Sequence, residues 1–558
     1  MDFRRWVQTF CLVVFIVLLV TVLSGVKTSF NVDFFLTLDP SIVLITSVSS
    51  RTFLFGYLPA VVVVILGLLL GRFFCGYICP MGTTLDVADS LFGVSHKKQK
   101  KLYQLRSIKY LLLVFLIGAS LFGVSFVFFA SPLSLITRFY GLLIYPIVTF
   151  LSERGHQLLA PLLEKLDLNS LLFLQIKSVR YSTQLFILLF FAGLFVLPRL
   201  TPRFWCRYIC PAGAVMALFS RKPLLRRTVD SKCNDCGKCV RSCSMGAIYE
   251  NNPALTLHEE CITCLSCQRI CPEAAVAFTY RLSATQSVSN PSLPSRRRFI
   301  ISGMTGASVA IAGLTSLTSA LGKTGEGRVL PPTLIRPPAA LPEMEFLSRC
   351  IRCGECMVAC PTNTLQPVWF KAGFMGLFSP AMILRRGYCD PDCHRCAQVC
   401  PTQAILSVTR NEREWAKTGT AVISRQNCLA WELDQKCMVC DEVCPFGAIE
   451  LTQEDGISVP VPKVKEDKCS GCGYCEYHCP VQNQSAIIVS PLNAIRLVSG
   501  SLKSAGRQLG LRISREQKDV INYPGLDSPD GTAPGFETET PSERDPDHSG
   551  SLPPGFLD

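Results

Sequence analysis

The sequence predicts an α-helical membrane domain joined to α+β domains of the bacterial-ferredoxin kind. Three observations predict it. Long apolar runs crowd the first two hundred residues. Twenty-nine cysteines recur, most of them at regular spacing. A segment at 295–314, SRRRFIISGMTGASVAIAGL, has the basic start and mild apolar body of an export signal, yet it sits in mid-chain. At 558 residues the chain has room for several domains. Its net charge of +13 does not mark a nucleic-acid protein. Lys97, Lys98, Lys100, Lys101, Arg106 and Lys109, then Arg221, Lys222, Arg226 and Arg227, lie beside apolar runs, the pattern of loops that flank spanning helices on the inner side.

A helix needs about 20 apolar residues to cross a bilayer core. Residues 7–26, 53–74, 108–130 and 183–199 qualify, giving four spans within a domain at 1–227. Arg4 and Arg5 at the start, and Arg199, Arg203 and Arg207 at the end, put both ends of that domain inside. Residues 132–176 are partly apolar and read as surface helices or a re-entrant hairpin. A cysteine-rich soluble unit follows at 228–282. A linker at 283–342 begins Ser/Pro-rich with SATQSVSNPSLPS, carries a candidate fifth span at 299–321, and closes on VLPPTLIRPPAALPE, which proline keeps stiff. A second cysteine-rich unit fills 343–495. The rest, 496–558, is expected to be largely disordered, being acidic and Gly/Pro-rich from about 514.

The cysteine spacing carries the chemistry. CNDCGKCVRSCS at 233–244 and CITCLSCQRICP at 261–272 each read C-x2-C-x2-C-x3-C, the run that binds [4Fe–4S] clusters. Three thiolates of a run wrap one cubane, and the fourth reaches the neighbouring one. The first cluster then uses Cys233, Cys236, Cys239 and Cys271; the second uses Cys261, Cys264, Cys267 and Cys243. Zinc would need only paired hooks. Ser244 stands where proline is usual, with all ligands kept. The second unit holds four more sets: Cys350, Cys353, Cys356 and Cys360; Cys389, Cys393, Cys396 and Cys400, with one extra residue in the first gap; Cys428, Cys437, Cys440 and Cys444, with a longer one; and Cys469, Cys472, Cys475 and Cys479. Six clusters are therefore expected. Cys11, inside the first apolar run, reads as a small buried apolar residue. Cys75 with Cys79, and Cys206 with Cys210, form two C-x3-C-P half-motifs. These make either one extra four-thiolate metal site, or a contact surface or structural turn. No C-x-x-C-H run exists, and none of the six histidines lies in a convincing span, so no haem is expected. No nucleophile–base pair or nucleotide fingerprint appears, so no catalytic residue is assigned.

These motifs resemble a fusion of two ferredoxin families of periplasmic nitrate reductase systems. The membrane ferredoxin NapH is similar over 1–282, on LTLDP at 36–40, the two C-x3-C-P motifs, SPLSL at 131–135 and the two-cluster unit. The exported ferredoxin NapG is similar over 295–495, on SRRRFI, IRPPAA, CIRCGECMVACP, NCLAWELDQKCMVCDEVCP and CSGCGYCEYHCP. That resemblance implies that SRRRFI is a twin-arginine signal acting as a fifth span, with 228–282 cytoplasmic and 343–495 periplasmic; an ordinary helix with a basic flank implies the same sidedness. Thr318, Ser319 and Ala320 would allow cleavage. The order of sets also resembles four-cluster subunits of molybdenum oxidoreductases. That likeness implies nested pairing: Cys479 with the Cys350 set, Cys360 with the Cys469 set, Cys444 with the Cys389 set and Cys400 with the Cys428 set. The expected function is a relay in the bacterial inner membrane, from membrane quinol to a periplasmic reductase or cytochrome. The alternative is a metal-handling maturation factor for a respiratory enzyme.

Overall fold

A computed structural model describes residues 3–24, 34–53, 55–92, 103–165, 178–280, 294–320 and 334–513. The lysines at 97–101, the Ser/Pro-rich stretch at 283–293 and the tail from 514 lie outside the described residues.

The described residues among the first two hundred are mostly helical. The main helices are α1 (Phe3–Ser24), α2 (Pro40–Ser50), α3 (Leu58–Leu70), α4 (Ser107–Ser120), α5 (Pro132–Arg138), α6 (Tyr145–Lys165) and α7 (Gln184–Val196). Asp39 caps α2 by accepting the Ser41 N–H, and Pro40 supplies the preset first turn. Ser131 and Pro132 start α5 in the same way.

Among the described residues, two helical stretches are long and apolar enough to cross a membrane: Phe3–Val22, and Pro132–Pro161, which runs through α5, a π-helical segment Phe139–Ile144 and α6. The second is the region expected to be surface helices or a hairpin. The apolar runs expected as the other three spans instead appear as shorter helices, Phe55–Leu70, Ser107–Ser120 and Gln184–Arg199. Their ends show why. Gly71 takes a positive φ and closes α3, and Gly123 does the same just beyond α4.

Helix α8 (Arg296–Ala320) carries the mid-chain SRRRFI segment. It lies along α4 in the same direction, with Ser302 donating to the Leu111 carbonyl at 2.7 Å. Glycines permit the approach. A Cβ on Gly118 would overlap the Gly303 carbonyl, and one on Gly306 would overlap the Phe115 carbonyl.

Three small modules hold the regular cysteine runs. Each is closed by antiparallel pairing of the segments that flank two consecutive sets. In the first, β1 (Leu225–Val229) pairs with β2 (Val276–Tyr280). In the second, an isolated bridge joins Ala340 to Ile405, and β3 (Leu365–Pro367) with β4 (Pro380–Met382) forms a hairpin between the sets. In the third, β5 (Thr420–Ile423) pairs with β8 (Ile487–Ser490), and the β6 (Ile449–Thr452)–β7 (Val461–Val464) hairpin lies between the sets. The proline-rich residues 334–341 are not a free spacer; they are buried in the second module. Ordered structure also continues past 495. A helix at Leu502–Gln508 sets Gly506 against Trp415, and the Arg512 N–H donates to the Asp467 carbonyl.

The first module docks where α3 ends and α4 begins. Thr263 donates to the Leu70 carbonyl, and Arg106 to the Gly246 carbonyl at 2.6 Å. The second module docks at the opposite ends of the helices. Ser49 donates to the Ser348 carbonyl at 2.6 Å, Ser134 to the Ile351 carbonyl at 2.8 Å, and Arg352 to the Ser125 carbonyl at 2.7 Å.

Candidate functional site

The thiols converge into four-cysteine cavities. Cys243, Cys261, Cys264 and Cys267 share one, as the spacing predicts for the second cluster of the first module. Cys360 joins Cys389, Cys393 and Cys396; Cys479 joins Cys428, Cys437 and Cys440; and Cys444 joins Cys469, Cys472 and Cys475. Cys400 lies beside Cys350, Cys353 and Cys356. The nested pairing is therefore replaced by pairing of consecutive sets. The reason is the strand closure: Ala340–Ile405 and β5–β8 each bring the two ends of a consecutive pair together, so each fourth cysteine reaches only its neighbour.

The four cavities are alike, each about 330 to 390 Å³ with its solvent-open mouth included. Among the described residues, no three Cys, His, Asp or Glu groups are packed tightly enough for a single ion. Four thiols around one cavity are the ligand set a cubane takes. Burial holds several of the unloaded thiols protonated: Cys267 and Cys389 are pushed up to about 11, and Cys440 to about 12. Loading therefore releases protons.

The cages are lined with donors, as suits anionic clusters. Arg413 donates to the Cys389 sulfur at 3.0 Å and Arg227 to that of Cys239 at 3.6 Å. The main-chain N–H groups of Ala247, Ala421 and Ala448 point at Cys243, Cys469 and Cys444, at 3.3 to 3.4 Å. Arg227 Nε and Arg352 Nε are buried donors with no partner among the described residues. Sequence spacing finds the ligands but not these donors, whose positions depend on the folded loop.

The two C-x3-C-P motifs also come together. The thiols of Cys75, Cys79, Cys206 and Cys210 are between 4% and 9% exposed. Cys206 is pushed up to about 12 by burial, with the Cys75 thiol beside it. Each motif ends one arm of an internal repeat, RFFCGYICPMG from Arg72 and RFWCRYICPAG from Arg203. The arginines are exchanged: Arg203 donates to the Cys75 carbonyl at 3.1 Å, and Arg72 reaches the Cys206 carbonyl at 3.5 Å. Asp86 holds Arg203, and Glu260, next to Cys261, holds Arg72 at 2.8 Å and Lys109 at 2.5 Å.

Comparison with known proteins agrees with this geometry. The family described as "4Fe-4S binding domain" matches residues 52–101 and 183–231, the two arms of the repeat. Two families described as "4Fe-4S dicluster domain" match 226–272 and 435–483, and a further "4Fe-4S binding domain" matches 346–366. Fold and cages define an iron–sulfur electron carrier of the ferredoxin type. Among relatives, "Methylamine utilization ferredoxin-type protein MauM" of Methylorubrum extorquens is 35% identical over 214 residues, covering 37% of this chain and 92% of the relative. MauM of Methylophilus methylotrophus is 39% identical over 31% of this chain and 78% of its own length. "Ferredoxin-type protein NapG" of Escherichia coli K12 is 35% identical over 32% of this chain and 80% of its own length. The chain belongs to the MauM/NapG family of ferredoxin-type proteins.

Proposed function

We propose that the chain is a membrane-anchored ferredoxin with six [4Fe–4S] clusters that relays electrons from quinol to a periplasmic oxidoreductase. The observation that carries this reading is the attachment of ferredoxin modules at opposite ends of one helical domain. Exposed apolar side chains support the membrane. Phe10, Val13, Val17 and Val20 on α1, Val62, Ile65 and Leu68 on α3, and Leu185, Leu188 and Leu189 on α7 all face outward, more apolar surface than a water-soluble monomer tolerates. In this reading α3, α4, α7 and α8 complete the membrane domain, the first module faces the cytoplasm, and the N-terminal half is a NapH-type partner fused to the exported half. SRRRFI on α8 supplies the twin-arginine export that sidedness requires.

Each [4Fe–4S] cluster supplies a one-electron couple when bound. The chain's own residues do the rest. Paired sets hold their thiolates in adjoining cages. Arg413, Arg227 and the alanine N–H groups stabilise the added negative charge. An aromatic cavity of about 360 Å³, lined by Phe129, Leu135, Arg138, Phe186, Phe190 and Phe378, opens on the apolar face of α7, with Arg138 beside Cys350 and Cys353. It suits a quinol ring arriving from the bilayer and giving its electrons to the Cys350 set. Oxidation of the quinol releases two electrons and two protons, and the protons pass to water on that side.

The test is anaerobic reduction of the purified full chain by menaquinol, followed by the loss of visible cluster absorbance. Phe190→Ala with Phe186→Ala should slow it at least tenfold while dithionite reduction stays normal. Copper uptake with no reduction by quinol would favour the maturation factor.

A further inference from the structure

We infer that the second and third modules are coupled into one electron path through a built contact between the Cys389 set and the Cys469 set, with Arg385 and the stacked rings of Tyr388 and Tyr474 as its positioning residues. The contact joins ligand to ligand. The Cys389 N–H, in the second module, donates to the Cys472 carbonyl, in the third, at 2.8 Å. Tyr388 precedes the one cysteine and Tyr474 follows the other by two residues, and their ring centroids lie 4.0 Å apart. His478 stacks with both, at 5.9 Å from Tyr388 and 6.1 Å from Tyr474. The second module also grips the short helix Tyr474–His478, which carries Cys475. Arg385 donates to the Glu476 and Cys479 carbonyls at 3.1 and 2.8 Å, and to that of Val481 at 2.6 Å. Gly473 makes room for this approach. Its φ is +81°, and a Cβ there would come to 2.5 Å from the buried Leu384 side chain.

These bonds fix distance and orientation together. Thr362 and Thr364 both donate to the Tyr388 carbonyl, at 2.6 and 2.9 Å, so the residue before Cys389 is itself held. A second tie lies elsewhere: Glu343, in the second module, accepts from Arg496, just past the third. Electronic coupling falls steeply with distance through space, and a chain of bonds carries it further. From the Cys389 sulfur through the two main chains to the Cys472 sulfur, the route crosses a single hydrogen bond. Inside each module the sets already adjoin, since Cys356 lies beside Cys396 and Cys475 beside Cys440. The contact therefore completes an order of sets: Cys350, Cys389, Cys469, Cys428. One electron leaves the Cys389 set as one enters the Cys469 set, with no bond made or broken and no proton moved. The contact is independent of quinol; only the direction of flow rests on the relay reading.

The test uses the full chain, purified anaerobically. Cys353→Ser with Cys437→Ser removes one set from each module and leaves the Cys389 and Cys469 sets facing each other. Reduced with dithionite, this protein should show the Cys389 signal split by spin–spin interaction in EPR. A control that also carries Cys472→Ser should show it unsplit, with the first module's signals common to both. Adding Arg385→Ala and Tyr474→Ala should collapse the splitting with iron content unchanged, whereas Tyr474→Phe, which keeps the ring, should preserve it. An unsplit signal with both sets loaded overturns the inference, as does splitting that survives both alanines. If the double alanine loses iron, Arg385→Gln takes its place; a smaller splitting is expected, and an unchanged one overturns. If the cysteine variants do not load, microwave power saturation of the reduced native chain decides. The contact variants should then saturate at several-fold lower power, and an unchanged power overturns the inference. Splitting in a protein that menaquinol cannot reduce would sink the quinol relay and leave the contact standing.

Discussion

Arg413 reaches one cage at a ligand sulfur. Its guanidinium donates to the Cys389 sulfur and to the Cys393 and Asp390 carbonyls. A cation at a cluster sulfur favours the reduced, more negative state. Arg413→Leu should therefore move that cluster's potential down. A loss of about 1.4 kcal/mol of differential stabilisation corresponds to about 60 mV for one electron, read by redox titration with EPR. His258 is the second residue with a measurable consequence. Burial, then the charges of Arg226 and Arg227, hold its pKa down at about 4. The folded module keeps it neutral, so its contribution is present above the unfolded value of about 6.5 and is lost as pH falls through 6.5 toward 4. That is on the order of 3 kcal/mol. Cluster bleaching between pH 6.5 and 4 should be slower in His258→Gln than in the native chain. Neither role is legible in the sequence. Arg413 lies thirteen residues beyond its module's last cysteine, and only the return of the chain brings it back.

At the scale of elements, pairing of cysteine sets is where motif reading and fold part company. The six C-x2-C hooks and their gaps were legible because a cubane demands them. Which fourth cysteine serves which set depends on strand closure, and the Ala340–Ile405 bridge and β5 are too short to announce themselves by alternation. Cys400→Ser tests the observed pairing. It should abolish the same EPR signal that Cys353→Ser abolishes and leave the Cys428 set intact. The helices are shorter than the apolar runs for a related reason. Apolar runs report what avoids water, while Gly71 and Gly123 decide where the helix stops. The α4–α8 contact was equally hidden, since Gly118, Gly303 and Gly306 have meaning only when faced. Gly306→Leu should wedge the pair apart at about 1–3 kcal/mol, seen as a lower melting temperature of the helical signal in detergent.

For the whole molecule, the modules' secondary structure is too slight to stand alone. Each sheet has two strands, and an isolated two-stranded sheet is marginal in water. The buried centres of the modules are lined by thiols whose neutral state burial favours. Oxidative destruction of the clusters with ferricyanide and chelator should therefore unfold the three modules, while the helical circular-dichroism signal of α1 through α7 survives. Composition made the division between helical and cysteine-rich halves plain from the start. The docking of the modules at opposite helix ends was not plain, because it rests on single hydrogen bonds such as Ser49 to Ser348 and Arg106 to Gly246.

The seating of α8 along α4 has a further consequence, in numbers of molecules. Where two ferredoxin subunits are made separately, their ratio follows from expression and from chance encounter. Here the helix between them is packed into the domain that carries the first module, so every copy of one module is matched by one copy of the others. Stoichiometry is written into the chain, which is made with one copy of each module.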